Sequence, residues 1–213
     1  MSDALQTARA AVARIMVRLY ERGLTTTSGG NVSLRVGESS VVITAAATDK
    51  GSMGAEDVVV LGLDGANHTP ALRPSSEAGM HLEIFRLHPR VQAVVHAHPP
   101  AACAFTVVER PLNCRVLAEA YALVGEPAWA PYALTGTPAL ARSVAGAIGP
   151  RTACVLMENH GVLAVGATLL EAFDRLEVLE NVARINLYAA ALGPVRELTA
   201  SQRHELDLLM GRG

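Results

Sequence analysis

Apolar residues recur every three to four positions at the start of the chain, with arginines between them. This period predicts an amphipathic helix with one buried stripe, begun by Ser2 as its cap and ended by Gly23. The arginines within the run argue against a secretory signal peptide, whose central region is uniformly apolar. The stripe comprises Leu5, Ala8, Val12, Ile15, Met16 and Leu19.

Short apolar runs bounded by turn residues predict β-strands farther along the chain. They mix with the predicted helices without a regular βαβ rhythm. The predicted strands are residues 32–35, 41–44, 58–63, 91–98, 153–157 and 162–165.

Start and stop residues place three further helices. Each begins with a serine or threonine that can cap it, and each ends beside a proline. In the last of them Glu171 follows Thr168 by three positions, which is the pattern of a capping box. The predicted helices are residues 74–88, 137–149 and 168–193.

The strand predicted at 91–98 ends in two histidines. Side chains alternate along a strand, so Gln92, Val94, His96 and His98 share one face, opposite Val91, Ala93, Val95 and Ala97. Two imidazoles about 6.6 Å apart at Cα, which is two strand rises, can converge on one metal ion. Glu77 and His160 lie at predicted element boundaries and would complete a site of three histidines and one carboxylate.

Each of these residues also has an ordinary structural explanation. A single histidine is usually structural or solvated, and an acid in the first turn of a helix is favoured by the helix dipole. His81 follows Glu77 by one helical turn, so we expect it to be structural or to support the site from behind. The remaining histidines, His68, His88 and His204, are expected to be solvated.

Two polar turns offer donors of the kind that bind a phosphate or carboxylate. Gly30-Asn31 and Ser75-Ser76 supply backbone N–H groups, an amide and hydroxyls, and Ser28 is a weaker addition. Ordinary turn and cap chemistry explains each pair equally well when it is taken alone.

Length, composition and charge narrow the class of protein. The 213 residues suffice for one domain spanning 1–213, with a C-terminal tail of about 196–213 that could be mobile. Net charge is −2 without a basic cluster, and no apolar run approaches the roughly 18 residues of a membrane span, so we expect neither nucleic acid nor membrane as a partner. The three cysteines lack CxxC spacing, which favours a cytoplasmic location and a buried apolar role for Cys103.

Four motifs together resemble the class II aldolase/adducin family, over about residues 5–195. The resemblance implies an α/β fold of the α+β type, a three-layer αβα sandwich around a largely antiparallel central sheet. It also implies a homotetramer with active sites between subunits. The motifs are Gly29-Gly30-Asn31-Val32-Ser33, Pro74-Ser75-Ser76-Glu77, Val94-Val95-His96-Ala97-His98 and Asn159-His160-Gly161.

The same resemblance implies a chemistry. A Zn²⁺ ion, one per subunit, or another divalent metal such as Mn²⁺ or Co²⁺, would stabilise an enediolate while Glu77 moves the proton. The reaction would be the reversible retro-aldol cleavage of a small sugar phosphate similar to L-fuculose 1-phosphate. The implied metal ligands are His96, His98, His160 and Glu77. The implied phosphate ligands are Gly30, Asn31, Ser75 and Ser76, with Ser28 weaker.

The chain departs from the family pattern at two places. The aldolases usually carry a Pro-Ser/Thr-Gly turn after the second strand, where this chain has Ala45-Ala46-Ala47. A hydroxyl and a glycine are thereby lost from a turn that helps to bind phosphate, for which Thr48 or Lys50 could compensate. Leu117 stands where the fuculose-phosphate aldolases use a tyrosine as proton donor, and neither Tyr121 nor Tyr132 can be assigned to that role.

Other functions of the same superfamily therefore stay open. The altered turn keeps a metal-dependent decarboxylase open as an alternative, including one whose substrate is not phosphorylated. A 4-epimerase would use the same intermediate, but its further acid and base residues are not found. A non-enzymatic adducin-like interaction module is disfavoured, because it predicts loss of the ligands that this chain retains.

Overall fold

The computed structural model describes residues 3–212 and contains one sheet of seven strands in that part of the chain. The strands are β1 (Asn31–Val36), β2 (Ser40–Thr44), β3 (Val58–Gly62), β4 (Ala93–Ala97), β5 (Ala128–Ala130), β6 (Cys154–Met157) and β7 (Gly161–Gly166). Their order across the sheet is β3-β2-β1-β4-β7-β6-β5. All neighbouring pairs are antiparallel except β5 and β6, which are parallel.

Helices cover both faces of this sheet. They are α1 (Asp3–Glu21), α2 (Ala78–Leu87), α3 (Pro100–Ala104), α4 (Ala118–Leu123), α5 (Pro138–Ala147), α6 (Leu169–Leu192) and α7 (Ala200–Leu209). Apolar residues of α1 and α6, with those of α3 and α4, form a core on one face. Apolar residues of α2 and α5 form a second core on the other face. The predicted αβα sandwich around a largely antiparallel sheet is confirmed.

Alternation along the strands explains the two cores. In β4, Ala93, Val95 and Ala97 face the core of α1 and α6, whereas Val94 faces that of α2 and α5. This matches the predicted faces with one exception. Val91 packs in the core of α2 and α5, because the strand begins only at Ala93 and the alternation does not extend back to it.

The helix ends follow the predicted cap chemistry in two cases. The Thr137 side chain accepts a hydrogen bond from the backbone of Leu140 at the start of α5. Thr168 accepts from the backbone of Glu171 at the start of α6, while the Glu171 carboxylate accepts from Ala167 N rather than closing the box on Thr168. The predicted cap at Ser2 lies outside the described residues.

Four short or terminal elements go beyond the sequence prediction. Helix α3 begins at Pro100, where the proline pair ends β4, and helix α4 and strand β5 lie in the stretch that follows. Residues expected to form a C-terminal tail include helix α7, in which Asp207 accepts a hydrogen bond from the Tyr121 hydroxyl of α4.

Candidate metal centre

Three histidine side chains meet where β4 ends. His96 lies on β4, His98 follows the end of that strand, and His160 lies in the turn between β6 and β7. Since Leu163 of β7 is paired with His96, this turn lies beside the end of β4. The ring centroids are 4.9, 5.0 and 5.7 Å apart, and one nitrogen from each ring lies within 4.8 Å of the others.

Hydrogen bonding fixes which nitrogen of His96 faces the cluster. Its Nδ1 lies 2.9 Å from the carbonyl oxygen of Val162, which can only accept, so Nδ1 carries the proton. Its Nε2 therefore presents a lone pair. Nε2 of His96 and Nε2 of His98 are both buried without a hydrogen-bond partner among residues 3–212. Leaving a buried polar atom unpartnered costs about 1–3 kcal/mol, so two such atoms in one cluster indicate a site for a cation.

Glu77 approaches the cluster from the start of α2. Its Oε2 lies 3.2 Å from Nε2 of His96, and its Oε1 lies 3.1 Å from Nε2 of His160. Asn31 Nδ2 donates to Oε2 at 2.8 Å, and the Thr135 hydroxyl donates to Oε1 at 2.9 Å. Both carboxylate oxygens are thus held by protein groups at the edge of the histidine cluster.

The electrostatics of the site favour an ionised Glu77 and a neutral His98. Burial alone would raise the pKa of Glu77, but the close approach of His160 and His96, together with the hydrogen bond from Asn31, outweighs it and holds the pKa well below its usual range. Burial lowers the pKa of His98 to about 4, and the neighbouring His96 and His160 add to this effect. Neutral imidazoles and an ionised carboxylate are the forms that bind a metal.

The donor set fits a divalent transition metal. The lone pair of His96 Nε2 faces a carboxylate oxygen, and two such groups attract each other only when a proton or a cation lies between them. Three imidazole nitrogens with a nearby carboxylate suit Zn²⁺, and imidazole also suits neighbouring metals of the same series. The predicted ligands His96, His98, His160 and Glu77 are all brought together and could hold such an ion.

Two glycines leave room for the His98 ring. A Cβ atom on Gly161 would overlap Cδ2 of His98, and it would lie 2.9 Å from the Ala97 carbonyl oxygen. A Cβ atom on Gly29 would lie 2.8 Å from Nδ1 of His98. Any larger residue at either position would displace the imidazole, so both glycines help to place it.

Two of the residues predicted to bind phosphate, Gly30 and Ser75, contact residues of this site. Gly30 adopts a φ of +70°, and a Cβ there would lie 2.7 Å from the His96 carbonyl oxygen. Ser75 is half-buried, and its hydroxyl accepts a hydrogen bond from the Glu77 backbone at 3.3 Å. Ser28 and Ser76 are exposed. Ser75 and Ser76 thus directly precede Glu77, and Ser28 and Gly30 lie in the segment before β1.

Asn31, also predicted as a phosphate ligand, is buried, and its side chain is engaged by protein groups. Its Nδ2 donates to Glu77, and its Oδ1 contacts Nε2 of His81. His81 is fully buried behind Asn31, as expected of a residue that supports the site from behind.

The Ala45-Ala46-Ala47 turn contains one residue in an unusual backbone conformation. Ala47 has a φ of +55°, in the left-handed region that favours glycine. The buried ammonium of Lys50 donates to the Ala45 carbonyl oxygen at 2.9 Å and to the Thr48 hydroxyl at 3.1 Å. Burial lowers the pKa of Lys50, although Asp57 opposes the change. Lys50 therefore braces the turn through two of its three donors.

Thr135 is a site residue that the sequence did not single out. It lies between β5 and α5, and a lone loop threonine has no period or spacing that would mark it. The structure of one chain assigns neither Tyr121 nor Tyr132 as the proton donor. The Tyr121 hydroxyl donates to Asp207 at 3.0 Å, the Tyr132 side chain is exposed, and Leu117 is the residue before α4.

Comparisons with known proteins agree with this fold. The family described as Class II Aldolase and Adducin N-terminal domain matches residues 10–187. L-fuculose phosphate aldolase from Methanococcus vannielii is 36% identical over 168 residues, covering 79% of this chain and 89% of the relative. A solved structure of L-fuculose 1-phosphate aldolase matches with a TM-score of 0.88 and 28% identity, covering 100% of this chain and 97% of the other.

A second kind of relative also matches. 3-oxo-tetronate 4-phosphate decarboxylase from Haemophilus influenzae is 30% identical over 201 residues, covering 91% of this chain and 94% of the relative. The chain belongs to the class II aldolase/adducin family. Within residues 3–212, no helix combines the length and apolar character needed to cross a bilayer.

Proposed function

We propose that this protein is a metal-dependent lyase that cleaves the bond between the α and β carbons of a ketone in a small phosphorylated substrate. The first candidate reaction is the aldolase type, acting on a sugar phosphate similar to L-fuculose 1-phosphate. The observation that carries the proposal is the convergence of three histidine rings, two of them with unpartnered nitrogens, beside the ionised carboxylate of Glu77. An adducin-like interaction module would have no need for this buried arrangement.

We assign the metal to His96, His98 and His160, with Glu77 beside them. A bound Zn²⁺, one per subunit, would supply a Lewis acid that polarises the substrate ketone, and Mn²⁺ or Co²⁺ suits the same donors. The phosphate would be held by the N–H and hydroxyl groups of Gly30, Ser75 and Ser76, with Ser28 and the backbone of Asn31 nearby.

Glu77 is the group that we assign to proton transfer. Asn31 and Thr135 donate to different oxygens of its carboxylate, so its orientation is fixed from two sides. His160 and His96 contribute the largest effects that lower its pKa.

A decarboxylase is the second candidate, and the extent of the matches favours keeping it. The decarboxylase relative covers 91% of this chain, against 79% for the aldolase relative. The two reactions share chemistry. Breaking the C3–C4 bond of L-fuculose 1-phosphate releases an aldehyde, and breaking the C1–C2 bond of 3-oxo-tetronate 4-phosphate releases CO₂. Each leaves the electron pair on the same fragment, the enediolate of dihydroxyacetone phosphate, which then takes up one proton.

The shared fragment allows a test that does not depend on the choice between the two reactions. The zinc-loaded protein should exchange one hydroxymethyl proton of dihydroxyacetone phosphate with D₂O, as seen by NMR. Dihydroxyacetone without phosphate is the control for the phosphate site and should exchange far more slowly. Parallel assays for aldehyde and for CO₂ then separate aldolase from decarboxylase. No exchange with either compound, together with no cleavage of either phosphorylated substrate, would overturn the proposal.

We also propose a cytoplasmic homotetramer with active sites between subunits. Trp129, Tyr132 and Leu134 are 44%, 62% and 63% exposed and lie in the segment that leads to Thr135, which contacts Glu77. Apolar side chains exposed in this way are typical of surfaces that pack against another protein. Light scattering of the purified protein should give the mass of four chains, and a monomer of full activity would contradict this arrangement.

A further inference from the structure

His81 is a buried titratable residue that the proposed mechanism does not use. It lies on α2, its side chain is fully buried, and both ring nitrogens contact polar side chains of β1. Nδ1 lies 2.6 Å from the hydroxyl of Ser33, and Nε2 contacts Oδ1 of Asn31. Since Asn31 and Ser33 are alternate residues of β1, they share one face, and the imidazole bonds to both.

The direction of every hydrogen bond in this chain of residues follows from its end at Glu77. An ionised carboxylate only accepts, so the Asn31 group at 2.8 Å from Glu77 is the NH₂ and the group facing His81 is the carbonyl oxygen. The carbonyl oxygen also only accepts, so Nε2 of His81 carries the proton. Nδ1 then has a lone pair and accepts from the Ser33 hydroxyl.

We propose that His81, set by Ser33, is a positioning residue that keeps the Asn31 amide turned with its NH₂ toward Glu77. The proposal rests on the assignment of Glu77 as the proton-transferring group. Without the His81 donor, the Asn31 oxygen has lost its partner and only the bond to Glu77 orients the amide, so the NH₂ can turn away from the carboxylate. Glu77 would then be fixed on one side only, by Thr135.

An imidazole that only filled space would not need this arrangement. A neutral histidine has one donor and one acceptor, and here each has a matching partner inside the protein. Burial lowers the pKa of His81 to about 3, so the ring stays neutral and the pattern holds throughout the range in which an enzyme works. Ser33, His81 and Asn31 thus form one hydrogen-bonded series that ends at the Glu77 carboxylate.

Two substitutions at one position separate positioning from packing. His81→Gln retains an N–H that can reach Asn31 Oδ1, whereas His81→Leu fills similar space without a donor. For exchange of dihydroxyacetone phosphate, we expect His81→Leu to lower the rate constant about tenfold or more, the scale of one hydrogen bond to a charged group. KM and zinc content should stay close to those of the parent, and His81→Gln should recover most of the rate.

A double-mutant cycle tests whether His81 acts through Asn31. In an Asn31→Ala background, His81→Leu should cause no further loss of rate, because the amide that it orients is gone. Additive losses, equal losses in the Gln and Leu variants, or an unchanged rate in His81→Leu would each overturn the inference. If His81→Leu does not fold, Ser33→Ala tests the other end and should lower the rate with KM unchanged; an unchanged rate there would also overturn it.

The proposed function and this inference can fail separately. A Glu77→Gln variant that retains its rate would overturn the role of Glu77 and with it the inference. An inactive Glu77→Gln variant beside a fully active His81→Leu variant would overturn the inference alone.

Discussion

Glu77 lies at the N-terminus of α2, where the helix dipole alone favours an acid, yet other elements engage both of its oxygens. The sequence predicted Glu77 at the start of a helix. It also predicted the two histidines at a strand end, because strand alternation fixes which side chains share a face. The donors that hold Glu77 could not be predicted. Asn31 and Thr135 are 46 and 58 positions away from it, and only the folded sheet brings them to the carboxylate.

Replacing Glu77 by glutamine should remove most of the turnover while preserving the fold. The amide keeps the volume of the side chain but cannot accept a proton, and loss of a general base typically costs about 10²–10⁴-fold in rate. Initial rates and melting temperature measured on the same preparation check this. Glu83→Gln is the matched control, since that half-buried acid lies on the same helix and pairs with Arg86. A near-parental rate in Glu77→Gln would remove it as the base.

Ala47 should be a position where glycine stabilises the protein. The left-handed conformation of Ala47 costs a residue with a Cβ about 1–2 kcal/mol. Glycine avoids this cost, but part of the gain is lost because glycine makes the unfolded chain more flexible. The net expectation for Ala47→Gly is a gain of about 0.5–1 kcal/mol in the free energy of unfolding, measured with urea. Ala46→Gly is the control and should destabilise, since Ala46 has no positive φ.

Among the secondary-structure elements, those with a long period or a clear cap were predictable and those stabilised by distant contacts were not. Helix α3 has five residues, and its first free N–H groups are satisfied by the Glu180 carboxylate of α6, at 3.2 and 2.8 Å from Ala101 N and Ala102 N. No local pattern announces a partner 79 positions away. Helix α7 is an exception. Its capping box, formed by Thr199 and Gln202, is present in the sequence, yet this stretch was expected to be a tail.

The turn between β6 and β7 should be sensitive at Gly161. Alanine there would overlap the His98 ring and contact the Ala97 carbonyl oxygen, so the imidazole must move. We expect Gly161→Ala to weaken zinc binding about 10–100-fold, as disturbance of a ligand's surroundings does in other sites. Competition with a chromophoric chelator measures this. Gly146→Ala on α5 is the control, because a Cβ there meets nothing within 4 Å; equal affinities in both variants would contradict the prediction.

At the scale of the whole molecule, the buried histidine makes stability depend on pH. The folded pKa of His81 is about 3 and the ordinary value is 6.5, so below pH 6.5 the unfolded chain takes up a proton that the folded chain does not. Stability present at neutral pH is therefore lost as the pH falls. For this one group the loss between pH 7 and pH 5 is about 2 kcal/mol.

Urea unfolding of metal-free protein at both pH values measures this loss. His81→Gln should show a smaller decrease by about the same 2 kcal/mol, because glutamine does not titrate. The same pH dependence in parent and variant would show that His81 is not the group responsible.

Metal binding should couple the histidine cluster to the stability of the whole fold, because the three ligands come from β4, its end and the β6–β7 turn and are close together only when the sheet is formed. Ligand at a hundred times its Kd stabilises the folded state by about 2.7 kcal/mol. For a chain of this size, that corresponds to a melting temperature higher by about 5–10 °C.

Elemental analysis should find about one divalent metal per chain, a strong chelator should lower the melting temperature, and added Zn²⁺ should restore it. His98→Ala should lose both the metal and the shift, whereas His68→Ala, at an exposed turn after β3, should keep both. A chain that takes up no metal after incubation with Zn²⁺, or a shift that survives in His98→Ala, would show that the cluster is not the metal site.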